Sequence, residues 1–207
     1  IKASMTDSEN FLDYVFPILR YHSRWSELSK DDIKYMFEKP LVSHNGYYMR
    51  VDVKPAENIP EAKPMGNYQF GENACQYLDR LVELCETNNI QLVLIKAPSL
   101  YPFWYDEWEK QIEDYAKEKN LFYINFLEHI EETGIDYSMD TYDGGLHMNL
   151  SGAEKLTKYL GRYLIENTNV SDKRNVPELA EGWKEKRKMY DMDAQRQYRS
   201  LNERSIE

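Results

Sequence analysis

A chain of 207 residues with 42% hydrophobic residues is long enough for one ordinary domain around a single sizeable core. Its formal net charge of −10 argues against a nucleic-acid partner, because phosphate binding needs a clustered basic face. No run approaches the roughly 18 to 20 consecutive apolar residues of a membrane span, and the longest strongly apolar segment is only Leu92 to Ile95.

Residues 1–40 read as mainly helical. Asp7-Ser-Glu-Asn10 precedes an apolar stripe of Phe11, Tyr14, Val15, Ile18 and Leu19, which Pro17 kinks or restarts. Ser29-Lys-Asp-Asp32 reads as a second cap ahead of Ile33, Met36 and Phe37, with a stop at Pro40. Tyr21-His22-Ser23-Arg24-Trp25 sets Ser beside His, but adjacent residues on a helix point in different directions, so it reads as packing and surface. Residues 41–70 hold Gly46, Pro55, Pro60, Pro64 and an alternating run from Tyr48 to Val53, which predicts an irregular excursion with a short hairpin-like element.

From Glu72 the pattern sharpens. Ala74, Leu78, Leu81, Val82 and Cys85 share one helical face, and Asn88-Asn89 marks the stop. Cys75 and Cys85 lie on this helix about 15 Å apart along its axis, too far to pair, so they read as small core residues. Gln91 to Ala97 follows as a strand of the kind buried on both faces in a parallel sheet, ended by Pro98-Ser99. An aromatic loop (Tyr101, Phe103, Trp104, Tyr105) leads to a helix marked by Trp108, Ile112, Tyr115 and Ala116, and Leu121 to Leu127 is the next strand. This alternation predicts an α/β class with a parallel sheet. Two strands are too few to cover three helices, so further strands are expected elsewhere.

The chemistry concentrates in Tyr142-Asp143-Gly144-Gly145-Leu146-His147-Met148-Asn149, just ahead of Ser151-Gly152-Ala153-Glu154. Ser151 and Glu154 read as a capping box, and Ala153, Leu156, Leu160, Tyr163 and Leu164 give the following helix a buried face that anchors His147. An acid that accepts from one ring nitrogen fixes the tautomer and leaves the other nitrogen to take a proton from a hydroxyl. Asp143 is the expected acid and Asp140 its competitor. Ser99 follows a strand end but lacks the Gly-flanked turn that exposes a nucleophile. Lys96, polar within an apolar strand, reads either as lining the site or as a snorkelling edge lysine. His44 and His129 lack an acid or Cys partner at ligand spacing, so no metal site is expected, and nothing calls for a cofactor.

On these residues, the segment from Glu72 to Leu164 resembles the C-terminal part of the SGNH, or GDSL-type, hydrolase and acyltransferase superfamily. Those proteins end in a pattern like D-x-x-H-L-N-x-x-G-A, matched here by Asp143, His147, Asn149, Gly152 and Ala153 with one extra residue between acid and base. The resemblance implies a three-layer, flavodoxin-like parallel sheet, incomplete in this chain. It also implies catalytic roles for His147 and Asp143, with Asn149 beside them at the substrate. Around the substrate, Ser99 and Lys96 are candidates by their place at the strand end, and Tyr101 by its place in the aromatic loop, which reads either as a wall beside His147 or as packing over a helix. The family's nucleophilic Ser lies in an N-terminal Gly-Asp-Ser block that this sequence does not show. The chain opens on Ile1-Lys-Ala-Ser rather than Met, and the expectation is that the nucleophile and further strands lie upstream of Ile1.

The implied activity is serine ester hydrolysis or O-acyl transfer on an ester-bearing small molecule or glycan. The implied location is extracytoplasmic, associated with a bacterial cell envelope. The alternative is a non-catalytic protein of the same fold that binds or scaffolds. Residues 1–170 thus form the α/β part, and residues 171–207, with nine Lys/Arg against eight Asp/Glu, a charged helical tail. Leu179, Trp183, Tyr190, Ala194, Tyr198 and Leu201 give that tail an apolar stripe, expected to strap back onto the body or join a second subunit.

Overall fold

A computed structural model describes residues 44–204 together with Leu12, Val15, Ser29 and Lys30. The helices expected before residue 40 and the Tyr21 to Trp25 cluster lie outside the described residues, apart from Leu12, Val15 and Lys30, which are helical. The architecture is mixed α/β, mostly helical, with a two-stranded parallel sheet and a long C-terminal helix. The described residues form two compact units, one built on residues 68–92 and the other on residues 44–67 and 93–204.

The first unit contains helix α1 (Glu72–Thr87), which ends where Asn88 donates to the Leu84 carbonyl and Asn89 turns left-handed. Val82 and Cys85 are buried on its apolar face, while Leu81 and Leu84 are exposed. Both cysteines are free thiols.

The second unit opens with an extended segment in place of the expected hairpin. Burial alternates over the first part of the run, with Met49 and Val51 inside and Tyr48 outside, but Val53, in phase with Met49 and Val51, is exposed. Among the described residues, however, the segment's backbone has no hairpin partner. Arg50 O accepts from Leu150 N at 2.6 Å, Lys54 N donates to Thr141 O at 2.8 Å, and Ala56 N donates to Tyr137 O at 2.9 Å. The segment therefore satisfies its polar groups against residues 137–150, far along the chain.

Strand β1 (Val93–Lys96), helix α2 (Asp106–Glu118) and strand β2 (Phe122–Asn125) form a βαβ unit in which Lys96 pairs in register with Asn125. The apolar run around β1 is not buried on both faces: Ile95 is 48% exposed. A two-stranded sheet has too little width to shield both sides of such a strand. After β2 the chain continues as a 3₁₀ turn (Phe126–His129) and a short helix α3 (Ile130–Thr133) closed by left-handed Gly134. A loop leads to α4 (Leu150–Asn167), and α5 (Pro177–Arg204) completes the unit.

The extended segment, the start of α4 and α5 share one core. Met49, Val51 and Leu150 are buried together, with Tyr47, Tyr190, Ala194 and Leu201 packed against them. Full burial contributes about 1.5–3 kcal/mol for a side chain such as Met49, Val51 or Leu150, and the partly buried Tyr190, Ala194 and Leu201 cover that cluster, so the C-terminal half of α5 is a structural member of the unit. The stripe predicted for the tail is thus satisfied on the chain's own body at Tyr190, Ala194 and Leu201, whereas Leu179 and Trp183 stay exposed.

Candidate active site

Asp143 and His147 sit at the tip of a narrow loop. Its base is closed by an antiparallel bridge between Thr141 and Met148 and by Asn149 N donating to Asp140 O at 2.9 Å. Thr141 is fully buried, and its hydroxyl donates to Lys54 O at 2.6 Å, which fixes the loop to the extended segment. At the tip, Gly145 has φ +104°, and a Cβ there would lie 3.0 Å from both Ala56 Cβ and Leu100 Cδ1. Its carbonyl accepts from Leu100 N at 2.8 Å, so only glycine supplies both the left-handed turn and the close approach.

Within this turn Asp143 grips the base twice. Its Oδ1 accepts from His147 N at 2.8 Å and from Leu146 N at 3.2 Å, and its Oδ2 lies 2.5 Å from His147 Nδ1. Partial burial acts to raise the Asp143 pKa. The hydrogen bonds from His147 ring and backbone, the charge of His147 and the Leu146 amide outweigh it and hold the carboxyl below its ordinary range. The His147 side chain is 59% exposed, so with Nδ1 turned to Asp143 its Nε2 is the nitrogen that can meet a substrate. The Tyr142 ring stacks on the imidazole, centroids 5.7 Å apart and planes 8° apart.

The competing acid is placed elsewhere. Asp140 is 1% exposed, and its Oδ2 accepts from Asp136 N at 2.7 Å and from Lys155 Nζ at 2.5 Å. That pair ties the loop to α4. Gly152 makes this approach possible, since a Cβ there would fall 2.5 Å from Asp140 O.

The surrounding residues divide. Tyr101 donates its hydroxyl to the Asp143 carbonyl at 2.8 Å, so it braces the turn from behind. Asn149, expected at the substrate, is instead 2% exposed: its side-chain oxygen caps α4 by accepting from Gly152 N, and its amide donates to Met139 O and Asp52 O. This also corrects the capping box, because α4 starts at Leu150 with Asn149 as its cap, two residues ahead of Ser151. Lys96 Nζ donates to Ala97 O at 2.6 Å and Ser99 O at 3.3 Å and stands over the Trp104 ring. Burial lowers its pKa against the opposing charge of Glu109. Neither Lys96 nor Ser99 hydrogen-bonds to His147. The aromatic loop largely packs on itself and on α2, with Tyr105 and Trp108 edge to face at 4.8 Å.

A second acid–imidazole pair was not legible locally: His44 Nε2 lies 3.0 Å from Asp193 Oδ2, joining the 3₁₀ turn His44–Gly46 to α5 across most of the chain. His129 Nδ1 is 3.7 Å from the Glu132 carboxylate, beyond hydrogen-bonding distance. Among the described residues no group of three or more His, Cys, Asp or Glu could hold a metal ion, and no helix is long and apolar enough to cross a membrane. Comparison of the chain with protein-family models, curated proteins and solved structures returns no match.

Proposed function

We propose that Asp143 and His147 are the acid–base half of a serine esterase or O-acyltransferase site of SGNH type, with the attacking hydroxyl supplied by a serine outside residues 44–204. The observation that carries this reading is the 2.5 Å contact between Asp143 Oδ2 and His147 Nδ1 on an imidazole that remains open to solvent. In the sequence of events, Nε2 takes the serine proton as the oxygen attacks the ester carbonyl, and the imidazolium so formed is held by Asp143. The tetrahedral intermediate collapses when His147 returns that proton to the leaving alcohol. Water or a second alcohol then resolves the acyl-enzyme by the same proton path in reverse, giving hydrolysis or acyl transfer respectively. The parallel pairing of β1 with β2 fits the family's sheet as its carboxyl-terminal pair, and an acetylated envelope glycan is the substrate class proposed.

The test uses the protein expressed from its complete reading frame. A fluorophosphonate should label one serine, and His147→Ala should lower ester cleavage by at least about 10⁴-fold. Unchanged turnover in His147→Ala would reject the reading. Failure of the fluorophosphonate to label any serine would favour a non-catalytic binding or scaffold protein.

A further inference from the structure

The feature that the acid–base pair leaves unexplained is the aromatic wall on which His147 rests. Tyr142 stacks nearly parallel to the imidazole, 5.7 Å between centroids, within the range in which aromatic pairs attract. The Arg50 guanidinium lies 4.9 Å from the Tyr142 centroid and is itself held by Asp52 through bonds of 2.7 and 2.6 Å. Asp52 largely balances the Arg50 charge, so Arg50 braces the tyrosine more than it repels a cation beyond it. The placement is enforced from the backbone, because Arg50 O accepts from Leu150 N and Thr141 is pinned to Lys54.

We infer that Tyr142 is a positioning residue for His147: its ring fixes the plane of the imidazole and stabilises the imidazolium through its π-face. The inference rests on the proposed acid–base role of His147. An exposed ring held by one hydrogen bond at Nδ1 could still swing about that bond, and the stack removes this freedom. When His147 takes up a proton, the positive ring faces an electron-rich surface as well as the Asp143 carboxylate. The charged or titratable groups around the ring are Asp143 and Tyr142 on its own loop, and Arg50, Asp52 and Lys54 on the extended segment, the last with its Cε beside Gly144.

The experiment is an NMR titration of the His147 ring in the full chain, paired with ester kinetics. Tyr142→Leu should lower the imidazole pKa by about half a pH unit, the size of an exposed cation–π contact, and reduce kcat several-fold with little change in KM. Tyr142→Phe, which keeps the ring, should leave both values in place. If Tyr142→Leu does not fold, Tyr142→Met fills the same space without a π-face and is read in the same way. An imidazole pKa unchanged by loss of the ring overturns the inference. If neither wild type nor variants cleave esters, the proposed function fails on its own, while the titration still decides whether Tyr142 acts on His147.

Discussion

Asp143 stabilises the turn and orients the imidazole with different oxygens of one carboxylate, so its ionisation couples loop stability to site geometry. Its folded pKa lies below the ordinary 3.8. A group of this kind contributes stability above its unfolded pKa and loses it as pH falls through the folded value. Urea unfolding of wild type and Asp143→Asn should therefore differ most above about pH 5, where the unfolded carboxyl is also ionised, and converge as the pH falls through the depressed folded value. A constant difference down to the lowest pH would show that the carboxylate charge is not what holds the turn. This pair was legible in the sequence because its members are four residues apart, joined by glycines whose conformational freedom marks a turn. The His44–Asp193 pair was not, because only the docking of α5 brings residues 149 positions apart into contact. Asn149 was misread for a related reason: a motif shows that a residue type is required, but not whether its amide faces a ligand or the backbone.

At the scale of elements, the helix after the site is set by its cap. Asn149 accepts from Gly152 N and donates to two carbonyls of neighbouring segments, whereas Ser151 already lies inside the first turn. Asn149→Ala should cost about 2 kcal/mol or more, from the lost cap and the carbonyls left without a donor. Ser151→Ala should stay within about 0.5 kcal/mol. Equilibrium denaturation measures both, and equal losses would contradict the capping assignment. Helices α1, α2 and α4 and both strands were legible because period 3.6 and short β-rich runs are local signals. The segment from Tyr48 to Val53 shows the limit of that reading. The alternation there reads as a hairpin-like element, and no local signal could say that the partner was a loop 87 residues further on at Thr141 rather than an adjacent strand.

For the molecule as a whole, α5 decides how much of the tail belongs to the body. Its C-terminal half joins the Met49, Val51 and Leu150 core, with Tyr190 also donating to Glu154 at 3.0 Å and Gln197 to Met49 O at 3.1 Å. Tyr190→Ala should destabilise the fold by about 2 kcal/mol and raise hydrogen exchange along Pro177–Arg204. Trp183→Ala, at a site 62% exposed, should change stability by no more than about 0.5 kcal/mol. Comparable effects of the two would mean that the whole stripe, not its C-terminal half, is docked. The amphipathic character of the tail was visible in sequence, but the packing of its C-terminal half on the chain's own body depends on Met49 and Val51, which only tertiary structure places beneath it.

All of the proposed chemistry depends on Nε2 of His147 being the free, basic nitrogen, and ¹⁵N NMR of the neutral imidazole measures this directly. The account predicts that the proton resides on Nδ1, shared with Asp143, and that Asp143→Asn shifts the ring toward the opposite tautomer. A neutral ring protonated on Nε2 in the wild-type protein, unaffected by that substitution, would contradict it.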